Sequence, residues 1–528
     1  MDEYKIILFL CNWGPHPAFQ ELQEQNYNIP PEVNMIRIPC TGRITKSLLF
    51  KAFEMGADGV ALIGCEPGSC RYGSGTESAL SNTEDTRTIL SLMGLGEARL
   101  RFATFLPDEH ESLSQFLSGF VEDIRAMGKT PILMQKNDDI REQTAERLSD
   151  VTSRYDVYAC QDCGKCTASC PVALAGREYS PRGIVNAVIT GDIESDKVQE
   201  DIWACLTCGI CHERCPSDVN FPMFIRDLRA HISIDKEDGV KPAHGGFFQS
   251  MMRSMTSPEL KMNRWAFLPE NTETAKEGSV MFFGGCAPYF DAFFKNHSNV
   301  RTSMILSDSI KLLNFFGVKP VVLENERCCG HDLLWSGDRD RFIKLAKLNI
   351  EMIEKAGIEE VITTCPECFS TLKKDYAKYG LKPGFKVTHI YEFLETQIDK
   401  SAVKFAAFDK KITYQDSCRL NRLDEMKALP RKLIKRLDPV QFAEMKDHGN
   451  SAHCCGNSAW TGCGAFSKAL QVKRLRQAHE TGSDLLVTSC SKCQIHMKCA
   501  MEDTFLMEEL KMDMNDLVSV IADTIEWE

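Results

Sequence analysis

The sequence predicts a multidomain α/β protein: an N-terminal doubly wound parallel sheet, a mainly helical segment around two cysteine runs, and two repeated α/β lobes. Three observations carry this. Strand and helix patterns alternate over residues 1–128. Two four-cysteine runs lie in residues 154–232. A different cysteine pattern then occurs twice before the end of the chain. Alternating strands and helices bury a parallel sheet between helical layers.

In the first segment, short apolar runs at 4–10, 35–38, 59–63 and 100–105 read as strands. Stretches with helical periodicity lie at 46–55 and 112–127. The reading divides the chain into a domain at 1–130, a charged, helical linker at 131–153 and a two-cluster domain at 154–235. A second connection at 236–277, rich in Gly, Pro, Lys and Glu, leads to two lobes at 278–400 and 401–528. In each lobe strand-like runs precede the outer cysteines: 280–284 and 360–363 in the first, 411–415 and 484–487 in the second. Two lobes related by duplication are the simplest reading.

At 528 residues the chain has room for three or four domains. Its net charge is −12. An acidic surface repels phosphate, which argues against nucleic acid and anionic membrane as partners. No apolar run approaches the ~18 residues of a membrane span. The N-terminal apolar stretch has an acidic lead-in and reads as a strand, not a signal peptide. The 24 cysteines are far fewer than the ~8–10% of a disulfide scaffold. The expectation is therefore a cytoplasmic protein whose cysteines bind metal or carry redox chemistry.

Spacing sorts them. Cys160, Cys163, Cys166 and Cys170-Pro171 are followed by Cys205, Cys208, Cys211 and Cys215-Pro216, which is the two-cluster ferredoxin run. Three close thiolates wrap one cubane and the fourth reaches the other. Cys160, Cys163, Cys166 and Cys215 are thus assigned to one 4Fe–4S cluster, and Cys205, Cys208, Cys211 and Cys170 to the second. Zinc knuckles compete, but they seldom place three cysteines two residues apart and end in Cys-Pro.

The lobes each offer five thiols: Cys286, Cys328, Cys329, Cys365 and Cys368, then Cys418, Cys454, Cys455, Cys490 and Cys493. Adjacent cysteines project differently, so five thiolates suggest an unusual iron–sulfur assembly; a four-cysteine cluster with a spare thiol, or zinc, stays open. In the first domain Cys11, Cys40 and Cys65 follow expected strands. The carboxyl ends of such strands share one edge, where Cys70 joins them through a tight loop. Four thiolates suit a 2Fe–2S cluster, with structural zinc or scattered thiols as alternatives.

With those motifs in place, residues 154–528 resemble heterodisulfide reductase: the ferredoxin-like C subunit, through CQDCGKCTASCP and CLTCGICHERCP, fused to the catalytic B subunit with its CCG repeat. The D subunit of the membrane-linked enzyme has the same order. Residues 1–130 resemble the delta iron–sulfur subunit of methyl-viologen-reducing hydrogenase, through CNWG, PCTGR, GADGVALIGCEPGSC and RY. The resemblance implies one 2Fe–2S cluster, two 4Fe–4S cubanes and two noncubane 4Fe–4S clusters, each of the last held by a complete CCG unit, with a disulfide cleaved between them. It implies partners too: a flavin-bearing A-type subunit that bifurcates electrons, a hydrogenase, formate dehydrogenase or similar donor module, and ferredoxin. That family often reads Cys-Asn-Trp-Cys where this chain has Cys11-Asn12-Trp13-Gly14.

Other residues read as packing or surface. Cys463 and Cys499 are expected as buried apolar thiols, and Lys492 as a solvated lysine, with neutralising a cluster or a leaving thiolate as its alternative. His331, His453 and His496 are expected in packing or surface roles, with hydrogen bonds to cluster sulfurs as the alternative, and Trp203 and Trp460 in the core. Gly73-Ser74-Gly75 reads as a turn. Neither a Walker A loop nor a GxGxxG between strand and helix occurs, so no flavin or nucleotide site is expected in this chain. The alternative function is an electron conduit in a flavin dehydrogenase complex, with a quinone or flavoprotein partner and no disulfide substrate.

Overall fold

The computed structural model describes residues 4–133, 147–233, 242–298, 300–401, 403–424, 426–437 and 440–527. The chain divides into two compact units. One comprises residues 1–136 with 244–266 and 292–296; the other comprises 137–243, 267–291 and 297–528.

The first unit is built on four parallel strands: β1 (Ile6–Cys11), β2 (Val33–Ile38), β3 (Gly59–Gly64) and β4 (Leu100–Thr104), in the order β2-β1-β3-β4. β3 is an apolar run buried at every position, as a strand covered on both faces must be. Helices Pro15–Glu24 and His110–Met127 pack together over Ile6, Leu8, Leu10, Ala61 and Ile63. The alternate residues Phe9, Val60 and Leu62 are equally buried and face the other side. Helix Lys46–Glu54 packs against Gly75–Leu92 and also against Phe247–Ser254. That last helix lies in the stretch read from sequence as a connection. Phe247 meets Phe50 at 5.2 Å and Phe293 at 4.6 Å between ring centroids, and Arg253 Nε donates to Glu54 Oε1 at 2.5 Å. Of the first expected linker, 147–153 is described, and helix Leu148–Arg154 occupies most of it; residues 134–146 lie outside the described residues.

In the second unit, residues 147–233 are helical with no strand among the described residues. The core of this segment gathers Val151, Ile184, Ile202, Phe224, Ile225 and Leu228 beside the cysteines. The lobes follow. β5 (Val280–Phe283), β6 (Glu360–Thr363) and β7 (Lys386–His389) form a parallel sheet in that order. β8 (Lys411–Tyr414), β9 (Gln441–Phe442), β10 (Leu485–Thr488) and β11 (Asp513–Asp516) form another, ordered β11-β10-β8-β9. The triplets β5-β6-β7 and β8-β10-β11 correspond. Met281 makes a parallel bridge to Val321, where the second lobe has β9. The duplication read from the cysteines is therefore present in the strand order.

Candidate metal centres

In all three sheets the cysteines gather at the carboxyl ends of strands. Cys11 is the last residue of β1, Cys40 lies two residues past β2, and Cys65 follows β3. Cys11 and Cys65 bring their sulfurs to 3.6 Å, Cys40 and Cys70 to 3.8 Å. Burial, reinforced by Cys65 and Cys40, pushes the Cys11 thiol up to about 12. Burial would raise Cys70 as well, but backbone N–H groups of Tyr72, Gly75 and Thr76, with the Cys40 thiol, outweigh it and hold Cys70 below the usual range. Gly14, where the resembled family often has cysteine, donates its N–H to Cys65 Sγ at 3.4 Å. Gly75 makes room for the set: a Cβ there would lie 2.5 Å from Cys40 Sγ and 2.7 Å from Cys70 Sγ. The sequence pattern of Gly75 signals a plain turn and does not reveal this role.

In the helical segment, Cys170, Cys205, Cys208 and Cys211 line one cavity of about 310 Å³. These are the four assigned together from spacing. Burial raises Cys205 and Cys208; the guanidiniums of Arg229 and Arg422 act in the opposite direction. Arg229 donates to Cys205 O at 2.7 Å, and Arg422 to Cys208 O at 2.7 Å. Of the other set, Cys160, Cys166 and Cys215 pack against the core of the segment and Cys163 is exposed. Asp162 and Thr207 occupy equivalent places in the two Cys-x2-Cys loops, and both take a positive φ, 51° and 46°. A β-branched residue rarely adopts that conformation, so the loop shape is imposed by what surrounds it.

The two CCG units repeat one arrangement. Cys286 and Cys328 bring their sulfurs to 3.2 Å; hydrogen bonds continue from Cys328 to Cys329, then Cys368, then Cys365. The second runs from Cys418 to Cys454, Cys455, Cys493 and Cys490 in the same order. Hydrogen bonds to neighbouring thiols, then burial, push Cys286, Cys368 and Cys493 well up. Hydrogen bonds from Cys454 and Cys493 draw Cys455 down to about 6. Five thiols this close do not ionise together unaided; bonding to a metal deprotonates them. The glycine of each motif has a positive φ, 87° at Gly330 and 96° at Gly456, which explains the third letter of CCG.

The five thiols of the first unit line a cavity of about 540 Å³ that also takes in Cys490, Lys492 and Asp516 of the second lobe. Lys492 corrects the sequence reading: it is 7% exposed and pairs with Asp332 and Glu367 of the first lobe, each at 2.5 Å. His496 Nδ1 lies 3.2 Å from Cys455 Sγ, the sulfur contact that the sequence offered as the alternative to packing. His331 and His453 are buried, and Trp203 and Trp460 are in the core as expected. Cys463 is exposed, against expectation, and Cys499 is half-buried beside Lys468 at 3.6 Å. Position alone cannot signal burial for residues outside a motif.

Arginines tie the helical segment to the lobes. Arg419, next to Cys418, donates to Thr207 O at 2.9 Å and to Ser458 Oγ at 3.1 Å. Arg229 donates to Trp335 O at 2.9 Å, and Arg226 pairs with Asp375 at 3.0 Å. Cys208 thereby shares a packed cluster with Cys454, Cys455, Cys490 and Cys493.

Comparison with known proteins agrees with this layout. Residues 6–128 match the family model of the methyl-viologen-reducing hydrogenase delta subunit. Residues 155–219 match the 4Fe–4S dicluster domain, and 280–373 and 412–498 match the cysteine-rich domain. The chain is 26% identical over 429 residues to the D subunit of dihydromethanophenazine:CoB–CoM heterodisulfide reductase from Methanosarcina acetivorans, covering 75% of this chain and 98% of that one. It is 27% identical to the B subunit of the CoM/CoB fumarate reductase of Methanothermobacter marburgensis, over 76% of this chain and 78% of that one. It is 25% identical to a probable glycolate oxidase iron–sulfur subunit of Bacillus subtilis, over 69% of this chain and 92% of that one. No helix among the described residues is long and apolar enough to cross a membrane.

Proposed function

We propose that this chain is the iron–sulfur electron-transfer and catalytic subunit of a heterodisulfide-reductase-like complex. Residues 1–130 receive electrons, with Cys11, Cys40, Cys65 and Cys70 holding a 2Fe–2S cluster. Residues 154–235 relay them, with Cys160, Cys163, Cys166 and Cys215 holding one cubane and Cys205, Cys208, Cys211 and Cys170 the other. The lobes reduce a disulfide, with Cys286, Cys328, Cys329, Cys365 and Cys368 holding one noncubane cluster and Cys418, Cys454, Cys455, Cys490 and Cys493 its counterpart. Such clusters supply single-electron transfer and thiophilic iron for the sulfurs of the substrate.

The chain's own groups do the rest. Arg229 and Arg422 offset thiolate charge beside the relay, and Arg419 binds the relay loop to the second lobe. The donor is a hydrogenase, formate dehydrogenase or similar module. A flavin-bearing A-type subunit divides electrons between ferredoxin and this chain. The observation that carries the reading is the cavity common to both lobes, with five thiols of one and Cys490 of the other on its wall.

A second reading, an electron conduit without a disulfide substrate, is favoured by the likeness to the glycolate oxidase subunit. One assay separates them. The anaerobic complex is offered a panel of thiol-cofactor disulfides, a quinone and an electron-transfer flavoprotein. Turnover of at least one disulfide is expected; rapid reduction of quinone or flavoprotein with none of any disulfide would make the chain a conduit.

A further inference from the structure

The third position of each lobe's Cys-x2-Cys motif carries opposite charge: Glu367 in Cys-Pro-Glu-Cys and Lys492 in Cys-Ser-Lys-Cys. These equivalent residues meet across the two lobes at 2.5 Å, and Asp332 grips the same ammonium at 2.5 Å. Two carboxylates thus flank the one ammonium. They occupy two of its three N–H donors. Beside it, His331 Nδ1 lies 2.9 Å from Asp332 Oδ1. A carboxylate so engaged only accepts, so Nδ1 carries a proton. That Nε2 is buried with no hydrogen-bond partner among the described residues.

Both side chains line the cavity common to the lobes. The wall of the four-thiol cavity carries no charged side chain, whereas this one adds Asp332, Glu367 and Lys492 to the thiols. An unpartnered buried ring nitrogen beside a lysine with one N–H left calls for a polar ligand in this cavity.

Taking the disulfide reading as premise, we propose that Lys492, held on target by Asp332 and Glu367, gives its remaining N–H to the departing thiolate, with the unpartnered Nε2 of His331 hydrogen-bonding the substrate beside it. The step is RS–SR′ plus two electrons giving RS⁻ and R′S⁻, each then taking a proton from water. The S–S bond breaks, and both electrons come from a low-potential one-electron reductant. The ammonium lies on one side only, so the two sulfurs of an unsymmetrical disulfide are not equivalent.

The test uses the anaerobic complex, reduced methyl viologen, and a series of disulfides running from aliphatic to aryl. Stabilising a leaving thiolate matters most when that thiolate is basic. Lys492→Met should lower kcat roughly 10²-fold for aliphatic disulfides and little for aryl ones, with KM, iron content and cluster EPR spectra kept. Lys492→Arg should recover most of the loss. An equal fall across the series, or no fall, overturns the role. If Lys492→Met loses iron, Glu367→Gln replaces it: withdrawing one anchor should give the same dependence on leaving group in weaker form, and a flat response there overturns the role as well. A wild type that reduces none of the series overturns the disulfide reading itself, a result distinct from a flat response.

Discussion

Gly75 belongs to the N-terminal thiol set as much as the cysteines do. Its missing Cβ leaves the space into which Cys40 and Cys70 point their sulfurs. Gly75→Ala should therefore remove about 2 iron atoms per chain and the 2Fe–2S EPR signal, leaving the other clusters reducible; unchanged iron would show that the sulfurs can move aside. The cysteines themselves are legible in the sequence because their spacing is that of iron–sulfur runs. Gly75, Lys492 and His496 are less so, because each owes its role to a neighbour far away in the chain. Lys492 reads as any lysine until Asp332, 160 residues earlier, is placed against it.

The strands of the first unit start and stop within a few residues of the apolar runs that announce them, since a buried parallel strand leaves little choice of side chain. What periodicity does not reveal is helix Phe247–Ser254, which completes a sheet unit nearly two hundred residues upstream. Its anchor is Glu54. Burial raises that carboxyl, but Arg253 and then Lys51 outweigh it and bring it from 4.5 to about 2. A depressed carboxyl stabilises the fold above its unfolded value, and this support is lost as pH falls from 4.5 towards 2. It amounts to about 3 kcal/mol. Glu54→Gln should speed hydrogen exchange in 46–54 and 247–254 at pH 7 and leave it unaltered near pH 2. Equal exchange in both proteins at pH 7 would show that aromatic packing alone holds the helix. The edge strands β7, β9 and β11 are not legible in the sequence either: Lys-Val-Thr-His, Gln-Phe and Asp-Met-Asn-Asp present no apolar run.

Across the whole molecule, the proposed set of one 2Fe–2S, two cubane and two noncubane clusters would amount to about 18 iron atoms per chain. Anaerobically purified protein should be brown and nearly free of zinc; iron near 8 would leave only the helical segment loaded. The claim that matters most is that both lobes are needed to cleave one disulfide. Cys329→Ser and Cys455→Ser each replace a soft thiolate with a hard, poorly ionised hydroxyl, a weak ligand for iron–sulfur clusters. The decisive measurement counts thiols released per two electrons under anaerobic turnover in wild type and both variants, with cluster spectra recorded alongside. Cleavage between the lobes requires two thiols from the wild type and none from either variant, while the cubanes of all three still reduce. Continued thiol release from either single variant would contradict it.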